Sequence, residues 1–303
     1  MHYFKKHLKI CKTIISINLF STSNKMSKSK FEYVRDFEVE NKCLHNCWIV
    51  LRLDGKSFHK FTDAHNFEKP NDKRGLELMT RAAATVLGEF RDICFAFGHS
   101  DEYSFVFKKE TAVYNRRYDK ILTNVNSLFA SSYVFYWKTY FSDIDLIYPP
   151  SFDSRIVLYP TDKNLRDYLS WRQADVHVNN LYNTVFWALV LRKNLSTRQA
   201  EEKLKGTVSS DKNEILFQEF GINYNKEPEL FRKGTSLVRK RVKSATDERL
   251  THVVIPLNCD IISDKFWDEN PDILQGAPLQ EFDNVLNLPT FNGSTPQVEI
   301  KQK

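Results

Sequence analysis

The chain has 303 residues, with 44 Lys plus Arg against 38 Asp plus Glu and a formal charge of +6. This length allows one large domain or two modest ones with real cores, and 42% hydrophobic with 27% charged residues excludes collagen-like and linker-dominated chains. The basic balance favours a polyanionic partner without identifying one, and no apolar run reaches the roughly 18 residues needed to span a bilayer.

From the N-terminus, residues 1–25 carry Lys5, Lys6, Lys9, Lys12 and Lys25 and no acidic residue. They read as a mitochondrial leader, or as an extension absent from a cytoplasmic or nuclear form started at Met26. The five cysteines are an odd count, which argues against a disulfide scaffold and for a reducing compartment. Cys43 and Cys47 flank His45, but a zinc site needs about four ligands and no second pair lies nearby; they read as ordinary thiols.

Trp48 to Leu53 is a β-branched, apolar run that reads as a strand ending at the Asp54-Gly55 turn signal. Pro70-Asn71-Asp72 marks a helix start, followed by Leu76, Met79, Ala83, Val86, Leu87 and Phe90 at helical spacing. Ile93–Phe97 and Tyr103–Phe107, joined by Gly98-His99-Ser100-Asp101-Glu102, predict a β-hairpin. A second helix is expected over Tyr118–Trp137 and a further strand over Arg155–Tyr159. Beyond Pro160 the pattern predicts a long helix over Leu165–Leu191, helices over Thr197–Lys205 and Ser210–Phe220, and strands over Gly234–Lys243 and His252–Leu257. The polar tail at 284–303 reads as disordered.

The order β-α-β-β-α-β over residues 45–160 is the ferredoxin-like unit, an antiparallel sheet with helices on one face, on which polymerase palms are built. The fold class is therefore α+β: a catalytic palm over 30–160 and a mainly helical region over 161–270.

Nucleotidyl transfer with two metal ions needs hard cations about 3.5–4 Å apart, held by oxygen ligands. Asp54 at the end of the first strand and Asp101 in the hairpin supply them if the two strands are neighbours. Glu102 follows Asp101, but a regular strand turns it to the opposite side. The loop Gly55-Lys56-Ser57-Phe58-His59 either cradles phosphate through its backbone N–H groups or is a tight surface turn. Ser100 either binds a phosphate oxygen or caps the hairpin. Lys69, Arg116, Arg117, Lys120, Arg155 and Lys212 are candidate phosphate contacts, and Arg117 and Lys120 share a helix face. The stretch Trp171-Arg172-Gln173 and His177 to Thr184 concentrates aromatics and amides, which either read bases or form a buried polar brace. The basic run Arg232-Lys233, Arg239-Lys240-Arg241 and Lys243 suits an RNA backbone groove or a lysine-protected edge strand.

Five motifs in order, R-L-D-G-K-S-F-H-K-F from Arg52, H-N-F-E-K-P-N-D from His65, S-D-E-Y-S-F-V-F from Ser100, Y-L-S-W-R-Q-A-D-V-H-V-N-N-L-Y-N-T-V-F-W from Tyr168 and D-K-N-E-I-L-F from Asp211, closely resemble eukaryotic tRNA-histidine guanylyltransferases. The resemblance runs from about Met26 to about Asn270. It implies a magnesium-dependent palm enzyme that uses ATP to activate the 5′-phosphate of tRNA-His and adds one guanylate from GTP, against the usual direction of polymerisation. It places two Mg2+ ions on Asp54, the Gly55 carbonyl and Asp101, with Glu102 beside them. It assigns nucleotide contacts to Asp54 through His59, Ser100, Asp101, Lys69, Arg117 and Lys120, and tRNA handling to His177, Asn180 and Lys212. It also implies a homotetramer. The rival readings are a 3′-to-5′ repair polymerase for truncated tRNAs, a non-catalytic RNA-binding palm, and a cyclase-type palm acting on free nucleotide.

Overall fold

The protein is described from a computed structural model, over residues 29–243 and 250–279. The expected leader, 1–25, and the expected tail, 284–303, lie outside the described residues.

Residues 29–40 belong to a unit of their own. Its described part is one 3-10 helix, Glu32–Phe37, with no buried side chain and an ion pair of 3.1 Å between Arg35 and Glu32.

The second unit, from Asn41 on, contains β1 (Trp48–Gly55), α1 (Phe58–Ala64), α2 (Lys73–Glu89), β2 (Ile93–His99), β3 (Glu102–Phe107), α3 (Tyr118–Phe135), α4 (Trp137–Tyr140) and β4 (Phe152–Tyr159). It continues with α5 (Asp162–Lys193), α6 (Thr197–Leu204), α7 (Ser209–Phe220), α8 (Glu229–Lys233), β5 (Thr235–Lys243), β6 (Leu250–Leu257), α9 (Asp264–Glu269) and α10 (Pro271–Leu274). The strands form one antiparallel sheet in the order β4-β1-β3-β2-β5-β6. The first four are the expected palm, with β1 central and paired to β3. Strands β5 and β6 come from the second half of the chain and extend that same sheet past β2, so the sheet crosses the division at residue 160.

Strict alternation sorts the side chains of β1 and β3. Ile49, Leu51, Leu53, Tyr103, Phe105 and Phe107 face α2 and α3, where they meet Leu78, Val86, Val125 and Phe129 in the main core. Trp48, Val50 and Val106 face the other way, against Leu165, Tyr168, Leu169 and Val176 of α5. The sheet is thus covered on both faces: α2 and α3 on one, as a palm requires, and the first half of α5 on the other, which the sequence pattern does not place. The second half of α5 builds a third core, in which Leu181, Val185 and Leu189 pack with Leu204 and Leu216 of α6 and α7.

The helix starts follow from local capping chemistry. Asp72 precedes α2 in an extended conformation, and its carboxylate accepts from the N–H groups of Arg74 at 3.0 Å and Glu68 at 3.1 Å. Thr161 caps α5 by accepting from Asn164 N–H at 3.1 Å. Such caps satisfy N–H groups that have no partner within the helix.

Candidate metal and nucleotide site

Two chain reversals meet at one end of the sheet. β1 runs out at Asp54-Gly55, and the β2–β3 turn carries Ser100-Asp101. The pairing of β1 with β3 sets Asp54 directly across from Glu102. The Gly55 N–H donates to the Asp101 carbonyl at 3.1 Å, and the Lys56 N–H donates to Ser151 on the β4 side at 2.9 Å. Only glycine fits at 55, because a Cβ there would lie 2.4 Å from the Phe58 ring and 3.0 Å from the Asp101 Cβ. The absence of that carbon lets the two acidic segments close on each other.

The electrostatics follow from this geometry. Burial, and then the negative charge of Asp54, push the Asp101 carboxyl up to about 6, although a hydrogen bond with Ser100 opposes the rise. Asp54 is exposed. Among the described residues, no ion pair neutralises either carboxylate. Two like charges held together with no counter-charge fit a hard cation. No group of three or more His, Cys, Asp or Glu side chains suited to a metal occurs among the described residues. A magnesium site completed by a carbonyl, phosphate oxygens and water needs only one or two carboxylates, which the adjoining Asp54 and Asp101 can supply.

Glu102 sits differently. It lies on the α5 face of the sheet beside Asp54, but one terminal nitrogen of Arg172 donates to both its carboxylate oxygens at 3.1 Å, and Arg52 Nε lies 3.7 Å away. Burial lifts its carboxyl above the ordinary value in spite of both cations.

The Asp54–His59 segment is a turn followed directly by a short helix, not a loop throughout. Ser57 adopts a left-handed conformation, φ 53°, without a side-chain cap, and α1 starts at Phe58. Lys56, Ser57 and His59 are exposed. Phe58 is buried, 4.9 Å from the Phe61 ring and 5.8 Å from Phe152, so only its backbone can meet a nucleotide.

Of the other expected cations, Lys69 pairs with Asp63 at 2.8 Å and lies over the Trp187 ring at 5.5 Å. Arg117 and Lys120 occupy the head of α3. There the Ile156 N–H donates to the Tyr118 hydroxyl at 3.4 Å, and Ile156 is four residues along β4 from Phe152, which pairs with Gly55. At strand rise this is about 13 Å along the sheet. Arg155 pairs with Asp153 at 2.5 Å.

Two cation readings are corrected. Arg116 is a buried clamp, not a phosphate contact: its guanidinium donates to the carbonyls of Cys43, Leu44, Cys47, Lys109 and Thr111. The Cys43–Cys47 loop therefore wraps an arginine. The run on β5 is no edge strand, since β5 lies between β2 and β6, and two of its cations are engaged inside the protein. Arg239 donates to the carbonyls of Leu87, Phe90 and Ile93 at the end of α2, where a helix favours cations, and Lys240 is buried 3.4 Å from Asp272.

In the second half, Asn180 is 2% exposed. It accepts from Asn71 at 2.9 Å and donates to the Tyr224 hydroxyl at 3.0 Å, so the brace reading describes its environment. His177 stands edge-on to Tyr224 at 5.3 Å, its basicity lowered by burial and by Arg232. Lys212 donates to the Thr207 carbonyl at 2.8 Å. Gln173 is also a brace, donating to the carbonyls of Lys233 and Cys259 and accepting from Ile261 N–H. The charged group around Glu102, formed by Arg52, Arg172 and Asp175, is the part of the site that sequence reasoning missed. Its only signal was the Trp171-Arg172-Gln173 motif.

A palm sheet with two uncompensated carboxylates where adjacent central strands meet fits a nucleotidyltransferase of the polymerase-palm class. The family model for tRNAHis guanylyltransferase matches residues 31–160, and that for the Thg1 C terminal domain matches residues 163–265. A Drosophila melanogaster protein described as a probable tRNA(His) guanylyltransferase is 59% identical over 249 residues, covering 82% of this chain and 86% of that protein. The crystal structure of tRNA(His) guanylyltransferase from Saccharomyces cerevisiae is 48% identical with a TM-score of 0.67, over 69% of this chain and 93% of that one. The chain belongs to the tRNA(His) guanylyltransferase family. A bacterial tRNA(His) guanylyltransferase-like protein in complex with ATP shares the fold at 19% identity and a TM-score of 0.61, over 80% of this chain and 96% of that one.

Proposed function

We propose that this chain adds one guanylate to the 5′ end of tRNA-His, with ATP and GTP as substrates and two Mg2+ ions at Asp54, Asp101 and the Gly55 carbonyl. The observation that carries this reading is the close pairing of Asp54-Gly55 with Asp101, where like charge stands without a counter-charge. Divalent ions there would lower the pKa of an attacking hydroxyl and neutralise charge on the transferring phosphoryl group.

The chain's own groups do the rest. Asp54 and Asp101 supply hard oxygen ligands from the end of β1 and from the β2–β3 turn. The N–H groups of Phe58 and His59 at the start of α1, which have no intrahelical partners, and the exposed Lys56, Ser57 and His59 receive the triphosphate, with Ser100 beside them. Activation joins the tRNA 5′-phosphate to the α-phosphorus of ATP with loss of pyrophosphate. Transfer then lets the GTP 3′-oxygen attack the tRNA 5′-phosphorus with loss of AMP, and pyrophosphate is finally removed from the new end. Lys69, Arg117 and Lys120 are assigned to phosphates further along the substrates, and His177 and Lys212 to the tRNA. The family assembly, a homotetramer, is checked by light scattering.

The test is incubation of the full chain with ATP, labelled GTP and 5′-monophosphorylated tRNA-His, with and without magnesium. The expected result is one labelled guanylate on the tRNA, dependent on both ATP and magnesium. Labelled product formed without RNA, or preferential extension of a 5′-truncated non-histidine tRNA, overturns the reading.

A further inference from the structure

The charged group on the α5 face of the site has a use of its own. Glu102 lies across from Asp54 on the neighbouring strand, so an unrestrained carboxylate at 102 would be a third ligand within reach of any cation held by Asp54 and Asp101. It is not unrestrained. Arg172 donates to both Glu102 oxygens at 3.1 Å, and Arg52 approaches to 3.7 Å. Arg172 is itself fixed: its guanidinium lies 3.5 Å from the centre of the Trp171 ring and 3.5 Å from Asp175, and its side chain is 10% exposed. Its Nε is buried with no hydrogen-bond partner. An arginine that leaves one donor unsatisfied while directing another nitrogen at both oxygens of one carboxylate is placed for that carboxylate.

We propose that Arg172 is a positioning residue that, with Arg52, keeps Glu102 out of the cation site, so that Asp54 and Asp101 alone face the ions. The inference rests on the cation-binding reading of those two aspartates. A third carboxylate would tighten cation binding and take a coordination position that nucleotide phosphate must fill, because magnesium keeps near-octahedral geometry with few positions. Arg172 therefore trades cation affinity for an open coordination site. Each of its neighbours supports this: Trp171 holds the guanidinium plane, Asp175 holds its second terminal nitrogen, and Arg52 closes the other side of Glu102.

The experiment is a titration of the full-length, nucleotide-free chain with Mn2+ alone, read calorimetrically, alongside steady-state guanylate transfer. The proteins are wild type, Arg172→Ala, Glu102→Gln and the double variant. Arg172→Ala is expected to bind Mn2+ about fivefold more tightly, as the approach of one released carboxylate to the cation at intermediate dielectric implies, while kcat for transfer falls at least about tenfold and the KM for GTP changes less. In the Glu102→Gln background the same change should shift Mn2+ affinity less than about twofold, because there is no carboxylate left to release. Unchanged Mn2+ affinity in Arg172→Ala, or an equal shift in both backgrounds, overturns the proposal and leaves Arg172 as a plain tie between α5 and the sheet. Should Arg172→Ala fail to fold, Arg172→Gln goes through the same cycle. Asp101→Asn separates the two readings: if it does not weaken Mn2+ binding to the otherwise wild-type chain, the cation site itself is misplaced.

Discussion

Arg116 is a buried and Asp101 a half-buried ionisable residue of the same unit, and their surroundings are opposite. Arg116 is 2% exposed, and its three guanidinium nitrogens donate to five carbonyls. Asp101 is half-buried beside Asp54, and its partial burial and the like charge both raise its carboxyl. The first arrangement answers every donor and holds a loop in place. The second leaves a charge unanswered, and an unanswered charge in a folded protein waits for a ligand.

The largest test of that contrast removes the acidic pair. Asp54→Ala and Asp101→Ala should lower guanylate transfer by about a thousandfold or more while circular dichroism stays native; near-normal turnover in either would remove the site from the reaction. Arg116→Ala should do the reverse in kind, lowering unfolding free energy in urea by at least about 3 kcal/mol because several carbonyls lose their partner together. Asp101→Asn sharpens the comparison: it should raise the stability of the metal-free chain at pH 7 by about 2 kcal/mol and still abolish transfer.

The sign follows from the raised carboxyl. The folded chain holds the Asp101 proton up to about 6, above the unfolded value. Its contribution to folding is therefore fully present below the unfolded value and lost as pH rises through about 6. Divalent cations must displace that proton, so Mn2+ affinity should fall as pH drops through the same point. A flat profile from pH 5 to pH 7 would contradict this. The smallest effect is expected at Asn180, where Ala should cost about 1–2 kcal/mol, measured by thermal denaturation, through loss of its bonds to Asn71 and Tyr224.

Much of the palm was legible because it is written locally. Ile49, Leu51 and Leu53 alternate, the 98–102 turn separates two apolar runs, and the expected strand and helix limits fall within a few residues of those observed. Asp54 and Asp101 were singled out by the strand end and the hairpin turn that bound those runs. What stayed hidden depended on distant partners. Arg116 and Arg239 look like surface cations until the carbonyls at Cys43 and Leu87 come round to them, 73 and 152 residues away. Glu102 looks like a ligand until Arg172 arrives from 70 residues on. Helix α1 was hidden for another reason: it has seven residues and no capping side chain, so Gly55–His59 carries only a turn signal.

The return of β5 to the sheet bears on how the chain can be divided. Phe95 to Gly98 hydrogen-bond along Thr235 to Val238. A fragment ending near residue 160 would leave that row of N–H and C=O groups bare on an apolar strand, a template for joining another molecule edge to edge. The first half should therefore clump when made alone and become soluble when the second half is supplied in trans.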